Sequence, residues 1–132
     1  MKKFLLLFLS ILMVFSFITC KKSSNKSSSV IYYFRGTVYL RNNPAPDVVV
    51  NMGFRDSSKI QGGQQWDENK QTKTDSNGKY EFTIKESFES AHGWTWKVRA
   101  LHPETGNWTD WIMGGTVTPG ENGAGTIDIY LE

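Results

Sequence analysis

The feature that most constrains this chain is a hydrophobic period of two. In "WTWKVRAL", Trp94, Trp96, Val98 and Ala100 fall on one side of an extended backbone, with Thr95, Lys97 and Arg99 on the other. The same alternation sets Phe34, Val38 and Leu40 against Arg35, Thr37 and Tyr39, and Val48, Val50, Met52 and Phe54 against Val49, Asn51 and Gly53. It returns with Tyr80, Phe82 and Ile84 in "KYEFTI", and with Ile127, Ile129 and Leu131 in "TIDIYL". Clusters of Gly, Pro, Asn and Asp end each run after a few residues, which is turn chemistry between short strands. Two more strands are expected near Lys70 to Thr74 and over "WTDWIM", Trp108 to Met113, with "GGTVTPGENGAG" as a Gly-rich connection. The count predicts an all-β fold, a seven-stranded antiparallel Ig-like sandwich of two sheets. The stretch 55–70 is long and polar, with Ile60 and Trp66 as its apolar anchors.

Residues 1–29 obey a different rule. Lys2 and Lys3 precede a mostly apolar run from Phe4 to Ile18, too short to span a bilayer comfortably, and Cys20 follows. The segment "FITC", Phe17 to Cys20, resembles the lipobox of bacterial lipoproteins, here with Phe17, Ile18 and Thr19 before the cysteine. That resemblance implies a signal peptide over 1–19 and a diacylglyceryl group on Cys20, which becomes the new N-terminus and holds the protein on a membrane. "KKSSNKSSS", Lys21 to Ser29, has no apolar residue and reads as a flexible tether, so 20–29 is lipidated cysteine plus linker. Lys21 is not the Asp used for inner-membrane retention in some bacteria, which favours an outer-membrane destination in the cell envelope.

What remains, 30–132, is long enough for one core and too short for two domains. Cys20 is the only cysteine, so no intrachain disulfide supports the fold. Five of the fifteen Lys and Arg lie in 1–29 and all thirteen Asp and Glu lie beyond, leaving ten basic against thirteen acidic residues, net −3. The basic character belongs to the leader and tether, and nucleic acid is not an expected partner.

The densest polar motif is "TKTDSNGKYEFT", Thr72 to Thr83. Asp75 could open a calcium loop whose twelfth residue is Glu86, but Tyr80, Phe82 and Ile84 alternate as a strand in between. The motif is therefore read as a structural turn: Asp75 bonds backbone amides while Asn77 and Gly78 take positive φ. His92 and His102 stand in separate loops without a cysteine between them, and read as solvated, so no metal site is expected. No Gly-x-Ser-x-Gly turn and no phosphate-binding glycine pattern occurs, so no catalytic residue and no cofactor is expected.

Five tryptophans carry the only hint of a site. Trp96 belongs with Val98 and Ala100 in the core, with Trp94 at its edge. Trp108 and Trp111 are three apart, so on a strand they point to opposite faces and one faces outward. Trp108, Trp111, Trp66 and Asp110 are the candidate ligand-binding residues, with Asn107 and Tyr130 as possible neighbours. Such rings could stack on a glycan or anchor an envelope protein, or simply pack against the second sheet.

Gly36 and Val38, Pro46 and Val48, then Thr74, Asp75, Gly78 and Tyr80, then Trp96, Val98 and Ala100, and finally Leu131 follow one order. That order resembles the carboxypeptidase-regulatory-like, or transthyretin-like, β-sandwich domains, with Asp47 where their usual glycine stands. The resemblance implies a transthyretin-like sandwich over 30–132 acting as a non-catalytic module for adhesion, carbohydrate contact or support of a neighbouring domain. Transthyretin-related hydrolases need paired histidines, an arginine and a Tyr-Arg-Gly-Ser-type ending; this chain ends Ile129-Tyr130-Leu131-Glu132.

Overall fold

The computed structural model describes residues 29–58, 63, 65–87, 91–119 and 124–132. The expected signal peptide 1–19, Cys20 and all of the tether but Ser29 lie outside the described residues, as does Ile60 of the polar loop. The described chain is almost all β, without an α-helix and without any helix long and apolar enough to cross a membrane. Its strands are β1 (Ser29–Leu40), β2 (Asn43–Pro44), β3 (Val49–Asp56), β4 (Asp67–Lys73), β5 (Lys79–Ser87), β6 (Trp94–Ala100), β7 (Ile112–Val117), β8 (Ala124–Thr126) and β9 (Ile129–Leu131).

Two sheets result. In the five-stranded sheet β1 is the shared member. One of its edges pairs antiparallel with β5, Arg35 opposite Glu81, and then with β2. Its other edge pairs in parallel with β8 and then β9, Val38 opposite Ile129. The second sheet runs β4-β3-β6-β7, antiparallel throughout. The inward halves of the alternating runs form one core: Tyr32, Phe34 and Val38, with Tyr80, Phe82, Ile84, Ile129 and Leu131, meet Val48, Val50, Met52, Trp96, Val98 and Ala100. Phe34 and Trp96 touch across it at 5.1 Å between ring centroids.

Among the described residues nine strands are seen where seven were expected, and the additions have local causes. β2 is a two-residue return after a turn at Arg41 and Asn42, both at positive φ. The closing run splits at Ile127 and Asp128, where the chain crosses onto Gly36. A Cβ on Gly36 would sit 1.6 Å from the Ile127 carbonyl oxygen, so only glycine fits there. Tyr80 Oη donates to that same oxygen (2.6 Å), and the Thr37 amide donates to Asp128 Oδ1 (2.8 Å). The strand expected over 108–113 lies instead at Ile112–Val117, so the Gly114-Gly115 pair belongs to a strand rather than a connection. Trp96 Nε1 donates to the Gly114 carbonyl (3.1 Å).

The Thr72 to Thr83 motif is a hairpin turn. Asp75 Oδ1 accepts from the Asn77 and Lys79 amides (2.8 and 2.9 Å), and Gly78 takes φ 73°. Asn77 does not share that positive φ, contrary to expectation; Asp47 does, at 58°. Asp is one of the few residues besides glycine that take this left-handed conformation readily. Buried Thr74 ties this hairpin to the proline turn: its Oγ1 donates to the Ala45 carbonyl (2.6 Å) and accepts from the Val48 amide (2.9 Å).

Candidate functional site

The outward halves of β3 and β6 face away from the core. Asn51 lies opposite Arg99, Gly53 opposite Lys97 and Arg55 opposite Thr95. A face open to water would leave these side chains exposed, yet Asn51 is 1% and Lys97 8% exposed. The indoles of Trp66, Trp111 and Trp108 stand against the cations of this face.

Lys97 Nζ lies 4.6 Å from the Trp66 centroid and 4.1 Å from that of Trp111. The Arg99 guanidinium lies 4.4 Å from Trp111 and 4.6 Å from Trp108, and that of Arg55 lies 4.3 Å from Trp66. The result is a ladder in which cations and indoles alternate: Trp66, Lys97, Trp111, Arg99, Trp108. Each rung contributes about 0.5–1 kcal/mol at an exposed site, and more where desolvated.

The underlying sheet explains how the ladder stands. Gly53 leaves room for the Lys97 stem to lie along the sheet: a Cβ there would meet Lys97 Cε at 2.7 Å. The Lys97 ammonium, withdrawn from water, is paired with Glu68 Oε1 (2.5 Å). Asn51 Nδ2 donates to the carbonyls of Glu68 and Lys70 (2.7 and 2.9 Å), where the β3–β4 register shifts, and Asn51 Oδ1 accepts from Arg99 Nε (3.1 Å). Among the described residues, the Arg99 Nη groups make no hydrogen bond or ion pair, and Arg55 Nε is buried without a partner.

Three of the candidate residues named from sequence thus come together. The expectation that Trp108 and Trp111 point to opposite faces is overturned. Trp108 forms an isolated bridge with Leu101 and strand structure resumes only at Ile112, so the chain between them breaks the strand parity and both rings reach Arg99. Asp110 is exposed, and its backbone carbonyl accepts from Thr109 Oγ1 (3.0 Å); no contact joins its carboxylate to the ladder among the described residues. Tyr130 lies on the outer face of the other sheet, stacked on Tyr39 at 5.0 Å and 65% exposed. Sequence reasoning missed Arg55, Lys97, Arg99 and Glu68; the available signal was the row of basic residues at outward positions of a tryptophan-rich strand.

His92 is not the solvated loop residue expected. Its Nε2 stands 3.5 Å from Asp56 Oδ2 and its Nδ1 3.6 Å from Glu86 Oε1, with its ring 4.5 Å from Trp94. Ser58 donates twice to Asp56, Trp94 Nε1 donates to Glu86 Oε2 (3.2 Å), and Tyr32 Oη donates to the His92 carbonyl (2.8 Å). Burial, then the Glu86 charge, pushes the Tyr32 phenol up. Ser58 Oγ donates to the Asp56 carboxylate (2.6 Å), the reverse of the arrangement in which a histidine takes a serine's proton. His102 is likewise engaged: Nδ1 accepts from the Glu104 and Thr105 amides, and Nε2 lies 2.9 Å from the Glu132 carbonyl.

A groove of about 700 Å³ opens beside the hairpin, between Arg35, Thr72, Lys79 and Asp128. Its polar groups largely serve one another: Arg35 faces Glu81 at 3.6 Å, and Tyr80, Asp128 and Asp75 make the backbone contacts given above. Burial, with Asp128 adding a smaller push, raises the Tyr80 phenol far above its usual range. The groove therefore presents mixed and mutually satisfied charge, whereas the ladder presents cations in excess.

No protein-family model and no curated protein matches the chain. Among solved structures, one match is the dioxygenase domain of a dioxygenase carbohydrate-binding protein fusion from the cellulolytic bacterium Streptomyces sp. SirexAA-E. It is 17% identical over 83% of this chain and 84% of that one, with a TM-score of 0.42. A 9R-lipoxygenase from Cyanothece PCC8801 matches at 17% identity and TM-score 0.34 over 77% of this chain, which spans 16% of the enzyme. Neither likeness is close enough to carry an activity to this chain.

Proposed function

We propose that this chain is a lipid-anchored module of the bacterial cell envelope, a transthyretin-like β-sandwich that binds through the tryptophan–cation ladder and performs no chemistry of its own. The observation that carries the reading is the placement of Trp66, Trp111 and Trp108 outside the core, on one face, with three cations between and beside them. A core of this size closes without them, and a broad aromatic surface of that kind suits a glycan or an envelope protein. Two sheets around one core, and the Thr74–Asp75–Gly78 hairpin, support the sandwich. The leader, Cys20 and the polar tether support the anchor, with the outer membrane as destination.

Membrane fractionation with radiolabelled palmitate tests the anchor: label and membrane association are both lost in Cys20→Ser, and a soluble, unlabelled native protein overturns it. A glycan array read beside tryptophan fluorescence tests the face. Binding that survives Trp108→Ala and Trp111→Ala unchanged removes the ladder from the function.

A further inference from the structure

A flat platform for neutral sugars requires open indole faces, and here two cations stand against each of Trp66 and Trp111. Lys97 and Arg99 both lie within 4.4 Å of the Trp111 centroid, and Arg55 and Lys97 both lie within 4.6 Å of that of Trp66. A guanidinium stacked on an indole keeps its N–H donors at its rim, in a fork that matches a carboxylate. Lys97 has its own counter-ion in Glu68; Arg99 and Arg55 have none among the described residues. The ladder is thus a local surplus of positive charge on a domain whose net charge is −3.

Trp108, at 37% exposed, leaves apolar ring surface at the end beside Arg99. Rungs that each combine a cation with a flat apolar ring match a polymer whose every unit combines a pyranose face with a carboxylate.

From this we propose that the ladder binds acidic polysaccharides of the uronic-acid class, with Arg99 and Arg55 taking carboxylates and Trp108 taking a sugar face. The inference rests on the reading of the ladder as a binding face and specifies its ligand.

The test titrates the full-length chain in mild detergent with oligogalacturonate, with its full methyl ester, which keeps the rings and removes the charge, and with polyglutamate, which keeps charge without rings. Calorimetry and tryptophan fluorescence give the affinities. Oligogalacturonate binds, and both controls bind at least about tenfold more weakly, the scale of one charge-assisted bidentate contact. Arg99→Gln and, separately, Arg55→Gln each lose about tenfold or more for oligogalacturonate at unchanged Tm, while Arg99→Lys recovers only part.

Methyl ester binding as tightly as the acid overturns this inference and leaves the glycan-binding face standing. Polyglutamate binding as tightly overturns it in favour of an acidic protein partner. Failure of all three to bind overturns this inference, and the glycan array then decides the glycan reading by itself. If either variant fails to fold, the wild-type selectivity alone decides.

Discussion

Thr74 offers the sharpest test of how the proline turn and the hairpin are joined. Its hydroxyl, 4% exposed with the rest of the residue, donates to the Ala45 carbonyl at 2.6 Å and accepts from the Val48 amide at 2.9 Å. Ala45 and Val48 are themselves buried, so in Thr74→Val neither group regains a partner from water. An unsatisfied buried group costs about 1–3 kcal/mol, and two are created. The added methyl recovers about 1 kcal/mol by burial at best, and it must also stand off from two polar atoms at hydrogen-bond distance. The net expectation is a loss of about 3 kcal/mol. For a domain of this size that corresponds to about 10–20 °C in Tm.

Urea denaturation measures it, with the midpoint falling at unchanged slope, and Thr83→Val serves as the exposed control, expected within about 0.5 kcal/mol of wild type. A Thr74→Val loss under about 0.5 kcal/mol would refute the bridging role and, with it, the reason for a threonine before the Asp75 turn.

Gly78→Val should cost about 3 kcal/mol, because the site has φ 73° and a Cβ there would lie 2.8 Å from the Ala45 nitrogen and 2.9 Å from the Val38 oxygen; urea titration reads the loss, and ligand affinity of the folded fraction stays unchanged. The Tyr80 phenol ionises at higher pH in the folded chain than at its unfolded value of 10.0, chiefly through burial. Below that value both states keep the proton and stability is indifferent to this group; above it only the unfolded chain releases the proton, so stability falls. Urea midpoints between pH 9 and 11 should decline less steeply in Tyr80→Phe than in wild type, and parallel declines would contradict this. Treatment with EDTA, or addition of calcium, should leave Tm within about 1 °C, since the Asp75 carboxylate is already held in the turn by two backbone amides on Oδ1. A larger shift by calorimetry would return the motif to the metal-loop reading.

Much of the fold was legible because side-chain parity on a strand is a local property. Phe34, Val38, Val50, Met52, Trp96, Val98, Ile129 and Leu131 alternate in sequence and all enter the core, whatever their neighbours are. The hairpin was equally legible, since Asp75 reaches amides only two and four residues ahead. Trp108 and Trp111 were misread for the converse reason: parity applies only within an unbroken strand, and theirs is interrupted.

His92 was misjudged because its partners come from strands, Asp56 from β3 and Glu86 from β5, that its own loop meets only in the fold. The ladder was half visible, as a count of tryptophans without the cations that organise it.

From residues alone, then, this chain was determined to be all-β, to have one core with known inward side chains, and to turn at Asp75. The tertiary structure decided which strands are neighbours, including the parallel return of β9 onto β1 across some ninety residues of chain. It decided too that Trp66, Trp111 and Trp108 stand against the cations on the outward face of β3 and β6. Alternation tells which side of its own strand a side chain takes; what lies over that side depends on segments that approach only when the whole chain closes its core.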